Sequence, residues 1–274
     1  MNIVVLMKEV PNMDMVKFDS ERGVIDRTSA DGEINPFDLN ALQTAVDLRK
    51  KTGGKITVIT MGPPKAAQSL RDAYSRGGDE LILLTDRRFG GSDTWATSYT
   101  LGASLKKIQS FDLIICGEKS VDGDTAQVGA EVAEFLDLPH AYYVEKIIGV
   151  DDKAISVEIE NLGDMKQTRE MSLPCLISVT KNINFPELPS LKRKLESLKV
   201  DVNTLSLDDL NGLLTEDKTG FKGSPTKVSK IVIPKEISRE SQLFRHDKDG
   251  FLEAVKSAMH KRNLTGVNDN GCKK

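Results

Sequence analysis

Four short apolar runs constrain this 274-residue chain more than any other feature: "NIVVLM" (2–7), "KITVIT" (55–60), "ELILLT" (80–85) and "FDLIIC" (111–116). They are nearly continuous rather than alternating, the pattern of strands covered on both faces in a parallel sheet. Helical patterns separate them. "DLNALQTAVDLRKKTGG" places Leu39, Leu42, Ala45, Val46 and Leu48 near one face and stops at Gly53-Gly54. "PPKAAQSLRDAYSRGG" opens on prolines and ends in Gly77-Gly78, and "SDTWATSYTLGASLKKI" has a Ser/Asp start. Strand–helix alternation of this kind predicts a doubly wound α/β fold with a mostly parallel sheet and right-handed crossovers.

Two stretches break the alternation. "VKFDSERGVIDR", inside the first crossover, reads as a β-hairpin around Glu21-Arg22-Gly23. "KAISVEIENLGDMKQTREM" alternates on both sides of Asn161-Leu162-Gly163-Asp164 and predicts an antiparallel edge hairpin before the strand "CLISVT". After about residue 183 the character changes. "NFPELPSLKRKLESLKV" carries two prolines, and "TEDKTGFKGSPTKVSK" is polar and Gly/Lys-rich, like a linker or extended arm. "ISRESQLFRHDKDGFLEAVKSAMHKR" predicts a terminal amphipathic helix with Phe251, Leu252, Val255 and Met259 on one side, and the tail "GVNDNGCKK" is expected to be disordered. The expected organisation is an α/β domain over residues 1–183 and a C-terminal arm over 184–274 that suggests a partner subunit.

Bulk properties exclude several classes. The formal net charge is only −3, which provides no basic field for nucleic acid. With 39% hydrophobic and 29% charged residues, the composition suits a soluble protein with a real core. No apolar run approaches the roughly 20 residues of a membrane span. "MNIVVLMKEVP" has too short an apolar core and no charged region before it for a targeting signal, so a cytoplasmic location is expected. Cys116, Cys175 and Cys272 are odd in number and far apart, which indicates neither a disulfide framework nor a CxxC metal site. His140, His246 and His260 carry no triad or metal spacing.

The candidate site is "CGEKSVDGDTAQVGAEVAEFLDLP" (116–139), where a strand hands over to a helix through a loop rich in glycine and acid. A calcium loop counted from Asp122 would need Glu at its twelfth position, which is Ala133. A simple cap by Asp124 or Thr125 is possible chemistry, but it leaves Gly117, Gly123 and the long approach unexplained. The third reading is an anion cradle. Free N–H groups around Thr125 to Val128 would point out of a helix N-terminus, where the macrodipole favours negative charge. Gly123 would let the backbone approach a diphosphate, and Thr125 would add a hydroxyl donor. Open α/β sheets bind ligands at the carboxyl ends of their strands, where this loop lies. Neither G-x-G-x-x-G nor a Walker A loop is present, so the residues by themselves permit a nucleotide without demanding one.

Together with "KEVP" after the first strand, "NPFDLNALQTAVDL", "MGPPKA" and "LPSLK", this loop resembles the beta subunit of electron-transfer flavoproteins, collinearly over residues 1 to about 200. The resemblance implies a nucleotide-binding α/β domain with an arm reaching an alpha subunit. By that resemblance Leu6 lines an adenosine pocket, and Asn35, Pro36, Phe37 and Asp38 lie beside adenine and ribose. Met61 stands before Gly-Pro, where backbone groups read the adenine edge. Gly117, Glu118, Val121, Asp122, Gly123, Asp124, Thr125, Ala126, Gln127 and Val128 form the phosphate loop, with Gly129 at a recurring position. Ala126 departs from the Asn that many members carry. Leu188-Pro189 matches a loop that docks on partner dehydrogenases. Each position has an ordinary alternative: Asn35-Pro36 as a helix entry, Met61 as core filler, Lys8 as a solvated lysine, Leu188-Pro189 as a turn.

The resembled family has two branches. Housekeeping members hold a structural AMP in this subunit. Electron-bifurcating members of anaerobes hold a second FAD there, and "KEVPN" and "SVDGDTAQVG" look like that branch. The resemblance then implies a hydride from NADH, one electron to ferredoxin or flavodoxin, and the other to the alpha-subunit FAD. From there it passes to an acyl-CoA dehydrogenase or related flavoprotein. The chain would be an electron-transfer subunit rather than a complete enzyme, with no catalytic side chain and no metal of its own. A universal-stress-type adenine-nucleotide sensor is the alternative from another class; it would usually be shorter and homodimeric. The terminal acceptor, whether crotonyl-CoA, caffeyl-CoA, lactate or another, is not encoded in this chain.

Overall fold

The computed structural model describes residues 1–12, 15, 17–19, 24–26, 32–108, 110–160, 165–227 and 241–261. Its centre is a nine-stranded sheet. The parallel strands are β1 (Ile3–Leu6), β6 (Ile56–Met61), β7 (Glu80–Leu84), β8 (Leu113–Gly117), β9 (His140–Val150), β12 (Cys175–Val179) and β13 (Asn203–Leu205). β10 (Ala154–Ile159) and β11 (Gln167–Ser172) run antiparallel at one edge. The spatial order is β11-β10-β9-β12-β8-β1-β6-β7-β13. This is the doubly wound, mostly parallel sheet with an edge hairpin that the apolar runs predict. The turn of that hairpin, 161–164, lies outside the described residues.

Every residue of β1, β8 and β12 is buried because helices cover both faces. Alternate side chains divide between two cores, as the period of two requires. Ile3, Val5, Ile115 and Ile177 pack with Leu42 and Leu70 of α1 (Pro36–Thr52) and α2 (Ala67–Arg76). Val4, Leu6, Ile114 and Leu176 pack with Leu101 and Val132 of α3 (Thr94–Ile108) and α4 (Val128–Leu136). α1 begins on Pro36, whose missing N–H costs nothing there, and stops at Gly53, which adopts φ 72°.

The first crossover contains two small antiparallel pairs. β2 (Glu9–Pro11) pairs with β5 (Gly32–Ile34) as a stem, and β3 (Lys17–Asp19) pairs with β4 (Val24–Asp26) as the expected hairpin. The turn Glu21-Arg22-Gly23 lies outside the described residues.

Besides the short β2 and β5, two strands of the central sheet escape the sequence reading. β9 carries the switch from parallel to antiparallel pairing, and its register against β10 shifts twice, which blurs its alternation. β13 is only three residues long and gains its identity by pairing with β7.

The chain divides into two compact units, Met1–Ile231 and Val232–Lys274. The first therefore runs well past residue 183. α5 (Leu191–Ser197) packs on α2. α6 (Gly220–Gly223) and its flanks, expected to be an extended arm, are tied to the start of α3. Asp93 accepts from Ala96 N–H with one oxygen and from the Thr226 N–H and hydroxyl with the other. Gly220 fits because a Cβ would lie 2.0 Å from Arg88 O. In the second unit α7 (Lys248–Lys261) is the expected terminal helix, with Phe251, Leu252, Val255 and Met259 exposed.

Candidate functional site

The strand order locates the site. From β1 the chain builds β6 and β7 on one side, then returns to place β8 on the other. This reversal makes a crevice beyond the carboxyl ends of β1 and β8, where open α/β sheets take ligands. Leu6 ends β1, Met61 ends β6 and Gly117 ends β8. Leu6 is buried and Met61 and Val128 are half-buried, all three in the core cluster beneath α3 and α4. That packing also satisfies the core-filler alternative for Met61.

Asp38 holds the crevice together. Its carboxylate accepts from Lys8 N–H at 2.8 Å and from Gly117 N–H at 3.1 Å, joining the diverging ends of β1 and β8. The residue is 6% exposed, and burial, the dominant cause, pushes its pKa up to about 7 against the hydrogen bonds that lower it. Gly117 is needed for this approach rather than for a turn, since a Cβ would lie 2.6 Å from both Asp38 Oδ1 and Phe37 Cβ.

Asn35 is not an ordinary cap. It occupies the N-cap position of α1 without a side-chain capping bond. Its amide instead donates to Lys119 O at 2.8 Å and accepts from Val121 N–H at 3.1 Å, which pins the loop that leaves β8. Pro36 is exposed, and the Lys119 ammonium lies 5.9 Å from the Phe37 ring centre.

The acids of the loop are matched by lysines that the sequence reading did not assign to them. Lys8 Nζ donates to Asp122 Oδ1 at 2.6 Å and to Ser120 Oγ at 3.3 Å. Lys119 Nζ lies 2.7 Å from Asp124 Oδ1. The two pairs differ in weight. The Asp122 side chain is only 4% exposed, but that of Lys8 is 45% exposed, so water screens this pair in part. Asp124 is 69% exposed, so water screens its pair with Lys119 more fully. Burial, ahead of its charged neighbours, raises the pKa of Glu118.

The helix start does not use the cap that Asp124 or Thr125 could supply. The N-cap of α4 is Gln127, not Asp124 or Thr125, and it makes no side-chain capping bond. Ala130 N–H donates to the Tyr142 hydroxyl of β9 at 2.9 Å. Among the described residues the N–H groups of Thr125, Ala126, Gln127 and Val128 meet no acceptor. Gly123, Asp124, Thr125 and Gln127 are exposed, and Ala126 and Val128 are half-buried. Asp124 and Ala126 both take φ 54°, a left-handed conformation that Asp tolerates and Ala resists. Gly129 is required where α4 crosses β8 and β9: a Cβ would lie 2.6 Å from the Tyr142 hydroxyl and 2.7 Å from Cys116 Sγ. Tyr142 was missed because nothing local distinguishes it; its role follows from strand pairing.

Leu188 and Pro189 lie apart from this loop, on a segment held to α1 and α2. Glu187 N–H donates to Gln43 Oε1 at 2.9 Å, and Asn184 is bonded to Asn40 and Thr44. The Arg193 guanidinium, 4.7 Å from the Tyr74 ring centre, donates to the carbonyls of Tyr74 and Gly78. So anchored, the segment exposes Phe185, Leu188, Leu191, Leu195 and Leu198. A groove of about 600 Å³ between β5, α2 and α5 is lined by Ile34, Leu39, Asp72 and Lys194, and no residue of the 117–128 loop borders it. No cluster of His, Cys, Asp or Glu suited to a metal occurs among the described residues.

Four backbone N–H groups without acceptors among the described residues thus stand at the switch point of an open parallel sheet, beside carboxylates matched by lysine, the place where proteins of this α/β class take ligands. The sequence comparisons narrow the class. The electron transfer flavoprotein domain model matches residues 22–210. The chain is 40% identical over 268 residues to the electron transfer flavoprotein subunit beta of Thermoanaerobacterium thermosaccharolyticum, covering 97% of this chain and all of that one. It is 38% identical over 235 residues to the caffeyl-CoA reductase-Etf complex subunit CarD of Acetobacterium woodii (85% and 88% covered) and 40% identical over 258 residues to protein FixA of Azotobacter vinelandii (91% and 90%). The chain belongs to the electron transfer flavoprotein family, as a beta-type subunit. The stress-sensor alternative is left without support. Among the described residues no helix is long and apolar enough to cross a membrane.

Proposed function

We propose that this chain is the beta subunit of a heterodimeric electron-transfer flavoprotein and holds the adenylate and diphosphate of a bifurcating FAD at the β1/β8 crevice. The observation that carries the reading is the run of N–H groups from Thr125 to Val128 that meet no acceptor among the described residues, while Lys8 and Lys119 pair with Asp122 and Asp124. An anion gains from such donors without meeting uncompensated carboxylates.

In this reading Thr125, Ala126, Gln127 and Val128 bind the diphosphate, Gly123 gives the backbone room, and Leu6 and Met61 lie against the adenosine. Asn35 and Asp38 act one step back, by fixing the loop and the strand ends. When bound, the flavin would take a hydride from NADH and part the electrons between ferredoxin or flavodoxin and the FAD of the alpha subunit. The exposed segment around Leu188 and Pro189 is the docking surface for an acyl-CoA dehydrogenase-like flavoprotein. The relative named for a caffeyl-CoA reductase-Etf complex supports a partner of that type. The resemblance of "KEVPN" and "SVDGDTAQVG" to the bifurcating branch favours FAD over AMP.

The test is extraction of nucleotide from the purified alpha–beta complex, with FAD and AMP quantified per heterodimer. Two FAD and no AMP are expected. One FAD with one AMP overturns bifurcation and leaves a single-flavin carrier whose 117–128 loop anchors a structural nucleotide.

A further inference from the structure

The dipeptide Lys8-Glu9 follows β1, and its side chains go opposite ways. Lys8 reaches Asp122 and Ser120 of the phosphate loop. Glu9 turns to α2, where its Oε2 accepts from Ser69 Oγ at 2.6 Å and its Oε1 lies 4.0 Å from Lys65 Nζ. The Glu9 side chain is 10% exposed and Ser69 is 5% exposed. Burying a carboxylate is costly, and this one is set on the first turn of a helix, the end that stabilises it. The stem closes around it, since a Cβ at Gly32 would lie 2.5 Å from Glu9 Cδ.

We propose that Glu9 is a positioning residue for the nucleotide site. By clamping the β2–β5 stem to the first turn of α2, it fixes Lys8 and Asn35 against the 118–127 loop and couples the β6–α2 side of the site to the phosphate side. The inference rests on the nucleotide reading above. The links are continuous: Glu9 is the β-partner of Ile34, Asn35 N–H donates to Lys8 O at 2.9 Å, and the Asn35 side chain bonds Lys119 and Val121. Removing the carboxylate frees the stem, and the loop loses the rigid base for both its Lys8 and Asn35 contacts.

The test is hydrogen exchange on the nucleotide-free alpha–beta complex, followed by titration with AMP, for Glu9→Ala, Ser69→Ala, the double variant and Glu9→Gln. Glu9→Ala and Ser69→Ala are expected to speed exchange of amides in 118–127, remote from either substitution, by about tenfold, as loss of one charged hydrogen bond would. The double variant is expected to do no more than either single one. Glu9→Gln, whose amide oxygen still accepts from Ser69, is expected to stay within about threefold of wild type. The Kd for AMP is expected to rise in the same order. Unchanged exchange at 118–127 in Glu9→Ala overturns the coupling, and so does acceleration spread evenly over the whole chain. A wild-type complex that binds neither AMP nor FAD overturns the nucleotide reading instead, while the exchange pattern still decides for or against the coupling.

Discussion

Ala126 shows how a single residue can carry a cost at a site. It holds φ 54° without glycine's freedom or the local hydrogen bonding that lets Asn visit that region. Asn at this position would relieve that cost through its own tolerance of the left-handed region. Ala126→Asn is expected to stabilise the chain by about 0.5–1 kcal/mol, read as a higher urea midpoint with an unchanged slope. Asp38 makes the opposite kind of bargain, since it is buried to make two hydrogen bonds and its pKa rises from 3.8 to about 7. A raised carboxyl pKa means that the folded state binds the proton more tightly than the unfolded state. The contribution of Asp38 is thus fully present below its unfolded value and is lost as pH rises toward 7, at up to about 1.4 kcal/mol per pH unit. Urea unfolding between pH 4 and 8 is expected to show that decline in wild type and a flatter profile in Asp38→Asn.

At the scale of elements, the approach of α1 to the end of β8 decides whether the crevice exists. Gly117 permits it, and the adjoining contacts of Phe37 and Asp38 leave no space for a methyl group. Gly117→Ala is expected to cost about 1–3 kcal/mol through overpacking and to weaken nucleotide retention as well, measured by urea unfolding and by nucleotide content. If stability falls while nucleotide content does not, the crevice is not where the nucleotide sits. The elements themselves were largely legible. Continuous apolar runs announced β1, β6, β7 and β8, and the Pro36 and Gly53 boundaries announced α1. β13 was not legible, because three residues carry no periodicity and become a strand only against β7. The same holds for the 216–227 stretch, whose polar composition reads as linker but whose Ser224 and Thr226 bond the start of α3.

For the whole molecule, the distribution of exposed apolar side chains separates two tasks. The 117–128 loop lies at the carboxyl ends of β1 and β8, whereas Leu188 (87% exposed) and Leu191 (76%) stand on a segment braced by α1 and α2. Large apolar side chains grouped on an anchored surface mark a contact site. Leu188→Ala with Leu191→Ala is expected to slow electron delivery to the partner flavoprotein by about tenfold or more, with nucleotide content and unfolding midpoint unchanged. Equal rates in the two proteins would remove this segment from the docking surface.

By itself the sequence determined the layered α/β class, the sheet's central strands and the place of the loop. Each follows from local signals: unbroken apolar runs must be covered on both faces, and glycine with acid between strand and helix marks a loop at a carboxyl end. Only the tertiary structure decided which side chains act together. Lys8 and Asp122 are 114 positions apart, and Asp38 meets Gly117 across 79. No spacing rule reaches that far. Such partners are chosen by the strand order that brings β1, β8 and the start of α1 to one crevice, where a buried carboxylate must find donors or take up a proton.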